Sequence, residues 1–168
     1  YAMQNLKDWS VVPSIGGDSV AIGAYSHQGT SDTYAYRNTA VGFKTLQTIT
    51  TGNINTMLGY QAGAKMTTAS QNVGIGGFAL YDCQTTGSLT AIGYNAMANT
   101  TGGTGSVAYG AYALTAQTTG NTNTAIGNSS MTAATVSYQN TAVGNTSLSA
   151  LTTGRNTVSI GHNSGQVL

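Results

Sequence analysis

Side chains able to do acid–base or nucleophilic chemistry are few in this 168-residue chain, and they stand far apart. Asp8, Asp18, Asp32 and Asp82 supply every side-chain carboxylate, because glutamate is absent. Glycoside hydrolysis needs two carboxylates flanking one bond, and only Asp18 and Asp32 are placed to meet in adjacent turns of a fold. Ser, His and Asp all occur, yet no Gly-x-Ser-x-Gly elbow presents a nucleophile. His27 and His162 do not form a ligand pair by spacing. Three copies of His162 around a symmetry axis would be one route to a metal, against which stands the simpler reading of a solvated histidine. The single Cys83 reads as a small buried hydrophobe rather than a nucleophile, and alone it excludes a disulfide framework. Gly74-Ile75-Gly76-Gly77 and Gly102-Gly103-Thr104-Gly105 lack the Gly-Lys-Ser/Thr and helix of a phosphate loop. They read as turns. No catalytic residue, metal or cofactor is expected, and the chain reads as a non-enzyme.

Charge narrows the partners. Five Lys and Arg against four Asp give a net charge of +1. Lys7, Arg37, Lys44, Lys65 and Arg155 are scattered, whereas nucleic-acid binding by counterion release needs clustered cations. No run approaches the roughly 18 apolar residues of a membrane span. Tyr1-Ala2-Met3 shows neither the basic nor the apolar part of a signal peptide, and the missing initiator Met suggests a fragment or a processed chain.

The elements that must position these residues are announced by a repeat. A small–aliphatic–Gly triplet recurs at Gly23, Gly42, Gly59, Gly76, Gly93, Gly110, Gly127, Gly144 and Gly161, the glycines from Gly42 onward lying 17 residues apart. Only the first interval, Gly23 to Gly42, is longer, at 19. Four residues after the glycine stands Leu46, Leu80, Met97, Leu114, Met131 or Leu148, with Gly63 breaking the column. Asn38, Asn55, Asn72, Asn123 and Asn140 open the motif. Thr-Thr-Gly marks a second turn at Gly52, Gly87, Gly120 and Gly154; Gly87 is one residue out of phase, so a local shift is expected there.

Seventeen residues are too few for a helix-pair repeat, and the Gly, Thr and Asn punctuation favours strands and turns. One period makes one coil of two short strands and two turns, and stacked coils pair their strands about 4.8 Å apart. The spacing therefore predicts an all-β parallel β-solenoid over residues 18–168, about 40 Å tall on that spacing. Residues 1–17, with Trp9 and Pro13, form an N-terminal cap or a junction to a shaft. Strand alternation puts the aliphatic residue on one face and Ala with Gly on the other. Ile/Val/Leu before the glycine and Leu/Met after it are expected inside, leaving an Ala/Gly strip outside that homotrimerisation would bury. The alternative places that strip in a tight interior. Threonine supplies 28 of the 168 residues, and those facing outward would hydrogen-bond along ladders and replace ion pairs.

Two sets of residues carry a family resemblance. Asp18-Ser19-Val20-Ala21-Ile22-Gly23-Ala24-Tyr25-Ser26 resembles the head repeat of trimeric autotransporter adhesins. Thr118-Thr119-Gly120-Asn121-Thr122-Asn123-Thr124-Ala125-Ile126-Gly127, with Thr153 to Gly161, is similar to repeats in bacteriophage tail fibres. The resemblance spans roughly residues 18–165. It implies a homotrimer of left-handed parallel β-solenoids (β-rolls) on a virion or a bacterial surface, attaching to a host-cell receptor that is a polysaccharide or an outer-membrane protein. Adhesin heads use a shorter repeat, which favours the tail fibre. Tail fibres often carry a self-cleaving C-terminal chaperone, which the resemblance implies was cleaved off after Leu168 or lies outside this sequence.

Repeat arrays tend to place function where the repeat is broken. The 19-residue interval holds His27, Asp32, Tyr34, Tyr36 and Arg37, a mix of aromatic, basic and acidic groups expected together nowhere else in the chain. These are the candidate receptor contacts. Tyr25, Tyr60, Tyr81, Tyr94, Tyr112 and Tyr138 either stack on sugars, or ladder on one another and fill an interface. A function of another class, ice binding, rests on the column Thr39, Thr56, Thr90, Thr124 and Thr141, which Val73, Val107 and Val158 interrupt.

Overall fold

The computed structural model describes residues 18–29 and 34–166, so the expected cap over 1–17 lies outside the described residues. The strands are three residues long: β1 Val20–Ile22, β2 Thr39–Val41, β3 Thr56–Leu58, β4 Val73–Ile75, β5 Thr90–Ile92 and β6 Val107–Tyr109. They continue with β7 Thr124–Ile126, β8 Val136–Tyr138, β9 Thr141–Val143, β10 Thr153–Arg155 and β11 Val158–Ile160, and no helix occurs among the described residues. Nine of them form one parallel sheet in the order β1-β2-β3-β4-β5-β6-β7-β9-β11, while β8 and β10 pair separately. Each repeat triplet faces its successor in register, as in Thr124↔Thr141 and Ala125↔Ala142. The chain is a parallel β-solenoid of about eight turns.

A second strand in every coil was the expectation, and only the last coils have one. Elsewhere the second side is a run of turns tied from coil to coil. The N–H groups of Thr67, Thr68 and Ala69 all converge on the Gln84 carbonyl at 3.0 to 3.2 Å. Threonine hydroxyls reinforce this side by donating to carbonyls of the next coil, as Thr50 does to Thr67, Thr67 to Gln84 and Thr118 to Thr135. This satisfies backbone acceptors without charge, and Lys65–Asp82 is the one ion pair among the described residues.

The expected facing of the strands is reversed. The central strand residues Ala40, Met57, Ala91, Ala108, Ala125 and Ala142 are fully buried. Ile22, Val41, Ile75, Ile92 and Val143 are only half-buried, and Leu58 and Ile126 are exposed. The coil's narrow cross-section explains this. Leu46, Leu80, Met97, Leu114, Met131 and Leu148 reach in from the opposite corner and fill it, leaving room beneath the strand for little more than a methyl group. Native packing density does not admit two large side chains there. The exception obeys the same rule. Met57 replaces alanine where Gly63 replaces leucine, and added methyl groups at Gly63 and Gly74 would lie 2.6 Å from Met66 Sδ and 2.5 Å from Met57 Sδ.

Two further features lock the stack. Asparagines form a buried ladder: Asn55 donates through Nδ2 to Asn38 Oδ1 at 3.0 Å and to the Ala69 carbonyl at 2.9 Å, while its own Oδ1 accepts from Asn72 N and Nδ2. Asn123 and Asn140 repeat the pattern. The repeat glycines stack backbone on backbone at φ near +130°, and a Cβ on Gly110 would sit 2.4 Å from the Gly127 carbonyl oxygen. No shift accompanies Gly87. Thr86 takes the column of Gly52 and Ala69, and Asn72 bonds to its carbonyl as Asn55 does to that of Ala69.

Candidate functional site

Each coil turns a corner just before the asparagine column, which Leu89 and Thr157 also occupy, at a residue with φ near +55°, seen at Arg37, Ile54, Gln71, Ser88, Thr122, Gln139 and Asn156. A left-handed residue there aims its N–H at the neighbouring coil, as Ile54 does at the Tyr36 carbonyl and Asn156 at that of Tyr138, both at 3.2 Å. These bonds bring residues 17 apart side by side. Tyr36, Asn53, Ser70, Gly87, Thr104, Asn121, Tyr138 and Arg155 thus form one column along the corner.

Side-chain size varies sharply down that column. Near the middle it falls to Ser70 and Gly87, with Ser88 and Gly105 beside them. Towards the C-terminal end it rises to Tyr138 and Arg155, which β8 and β10 hold opposite each other in register. The guanidinium lies over the Tyr138 ring, 4.6 Å from its centroid. The step between small and large residues makes an open depression of about 500 Å³ lined by Thr104, Asn121, Thr122, Tyr138, Gln139 and Arg155. Asn121 is held by accepting the Thr104 N–H at 2.9 Å through Oδ1. Among the described residues no carboxylate pairs with Arg155, so its charge, the Asn121 and Gln139 amides and the Tyr138 hydroxyl are available to a ligand.

The residues expected from the 19-residue interval divide. The register shows that the two extra residues fall between Gly29 and Tyr34, since Gly29 bonds to Gln47 and Tyr34 to Thr50. Asp32 lies outside the described residues. Tyr34 is 75% exposed, and Tyr36 and Arg37 are also on the surface, with Arg37 5.4 Å from the Tyr36 ring centroid. His27 is a correction: only 6% of it is exposed. It occupies the inward column that holds Leu46 in the next coil, and its Nε2 faces Asn38 Nδ2 at 3.4 Å. Burial holds the imidazole below its ordinary pKa. It does not belong to the surface group.

The expectation that such mixed groups occur nowhere else is also overturned. Lys65 Nζ lies 3.0 Å from Asp82 and 4.9 Å from the Tyr81 ring centroid. Tyr138 and Arg155 make a second aromatic–basic pair. Neither stands out in linear order because the members are a full coil apart in sequence; the 17-residue offset itself is the signal. Asp82 sits below the usual carboxylate range, first because Gln84 donates to it and then because Lys65 does. Cys83 is buried in the core, and that burial raises its pKa, so it stays a protonated thiol. His162 is exposed and bonds to Asn163.

Two more surfaces run along the rod. Phe43, Tyr60, Phe78, Tyr94 and Tyr112 continue from Tyr25 as a ladder of rings with centroids 5.2 to 5.9 Å apart. Beside it, the outward side of the nine-stranded sheet carries Ile, Val, Leu and Tyr109 in one column and Thr or Val in the other. No protein-family model, curated protein or solved structure matches the chain.

Proposed function

We propose that this chain is a structural attachment protein: a rigid, homotrimeric segment of a phage tail fibre whose lateral corners meet a host-cell receptor. The head of a bacterial trimeric adhesin is the nearest alternative. The observation that carries the reading is the outward sheet face. Leu58, Tyr109, Ile126 and Ile160 are 39 to 71% exposed in a single chain, on a molecule with almost no charge to keep it apart from its copies. The face with its flanking ring ladder is about 40 Å long and about 20 Å wide on strand spacings, close to the roughly 800 Å² per partner of a stable interface. Trimerisation would bury this face, in place of the alanine strip, and leave the corners outside. A left-handed coil, the position on a virion and the polysaccharide or outer-membrane receptor belong to the same proposal.

Sedimentation equilibrium at several concentrations tests it. A mass three times 17.0 kDa, with purified protein competing for host-cell adsorption, is the expected result. A 17.0 kDa monomer overturns the trimer. It would favour the second reading, ice binding, to which the flat sheet with outward Thr39, Thr56, Thr90, Thr124 and Thr141 lends support; thermal hysteresis decides that case.

A further inference from the structure

We infer that the corner depression at Tyr138 and Arg155 is a binding site for a carboxylate-bearing sugar unit of a surface polysaccharide. The inference rests on the attachment reading for its biological sense and names the receptor chemistry that reading leaves open. Arg155 is the charged group of the site, and no carboxylate competes for it among the described residues. A guanidinium presents paired N–H donors in a plane, which matches one carboxylate bidentately. Its position over the Tyr138 ring restrains it before any ligand arrives.

The neutral groups discriminate among anions. Thr104, Asn121 and Tyr138 belong to successive coils, so the donors and acceptors span about 10 Å along the rod. That is longer than an inorganic anion and suits a hydroxylated ring carrying one acidic group. Nucleic acid would require several cations in a row, and this depression offers one, the next arginine along the corner lying about 29 Å away on strand spacing. Thr104 and Thr122 hydroxyls and the Asn121 and Gln139 amides can each donate and accept, as sugar hydroxyls demand. The depression exists because its upstream neighbours are Gly87, Ser88 and Gly105; a methyl group on Gly105 would meet only Thr122 Cγ2, at 3.2 Å. The column that ends in Tyr138 and Arg155 begins, about 29 Å away on strand spacing, with the exposed pair Tyr36 and Arg37. A polysaccharide lying along the corner would therefore meet an arginine beside a tyrosine at each end.

The test is calorimetric titration of the full chain with oligosaccharides of glucuronate, galacturonate and N-acetylneuraminate, each against a neutral oligosaccharide of equal length. At least one acidic series is expected to saturate at one site per chain. Arg155→Gln should weaken it ten-fold or more and Tyr138→Ala comparably, with unchanged thermal unfolding, because neither side chain makes a hydrogen bond within the described fold. Absence of binding by all three acidic series overturns the inference. So does equal binding of the neutral sugars, full retention in Arg155→Gln, or displacement by inorganic sulfate at equal concentration. Sugar binding without host-cell attachment would strike the attachment reading alone. Attachment that survives Arg155→Gln would instead remove this site from it.

Discussion

A buried histidine and a buried asparagine show how much one inward position can carry in so thin a core. Asn38 Nδ2 donates to the Gly52 carbonyl at 2.9 Å and faces His27 Nε2, so the imidazole accepts there and holds its proton on Nδ1. Protonation would set two donors against each other in a dry site. Because burial lowers the folded-state pKa, the unfolded chain takes up the proton first. Stability is therefore full above about pH 6.5 and falls as pH drops towards the lowered value. His27→Leu, copying Leu46 of the next coil, should abolish that dependence in thermal melts between pH 7 and pH 5. Asn55→Ala tests the ladder differently. It strips partners from the Ala69 carbonyl and from Asn72 N and Nδ2, and a loss of about 3 kcal/mol in urea unfolding is expected for buried groups left unpaired.

Among the elements, the glycine stack sets how closely coils approach. Gly110→Ala would drive a Cβ into the Gly127 carbonyl at 2.4 Å, and no neighbour can yield without breaking the ladder between β6 and β7. Its cost should exceed about 4 kcal/mol, the range reserved for severe core damage, and show as insoluble protein. Gly161→Ala carries a similar positive φ, but its nearest atom is Ser164 Cβ at 3.8 Å. Only the backbone cost of about 1–3 kcal/mol remains, so soluble protein with a lowered melting temperature is expected. Comparing the two separates conformational strain from coil contact. Elsewhere the ring ladder supports the same stacking, since aromatic pairs at these separations each contribute about 0.5–1.5 kcal/mol beyond area burial. It ends at Tyr112, after which Asn128 and Ser129 follow in its columns.

For the whole molecule, the outward face and the corner divide the labour that the proposal requires. The face is flat because every strand is three residues long and paired in strict register; the corner is uneven because its column changes from serine and glycine to tyrosine and arginine. Ile126→Asp places a carboxylate within the face, on β7, the seventh of its nine strands, at a residue 39% exposed in the single chain. It should convert the proposed trimer to a monomer in sedimentation while leaving the β-sheet circular dichroism intact. A variant that stays trimeric would relocate the interface to another side of the rod. Arg155, on the corner, should not affect the mass at all. Lys65–Asp82, with both side chains partly in solvent, is expected to contribute little to stability.

Periodicity determined the solenoid, its 17-residue register and the position of the one insertion, because stacking identical coils writes each column into the sequence at a fixed offset. It also identified Leu46, Leu80, Met97, Leu114, Met131 and Leu148 as core, since nothing outside a coil would keep that column so uniformly apolar. Which side of each strand faces inward was decided only by the tertiary structure. Strand alternation is symmetrical, and the choice between Ala and Ile depends on how far the leucine from the opposite corner reaches across the coil. His27 was legible as polar and near the insertion, yet its burial follows from its place in the leucine column. The Tyr138–Arg155 site was missed for a related reason. Its two ends lie on separate strands, and only parallel pairing of β8 with β10 sets the guanidinium over the ring.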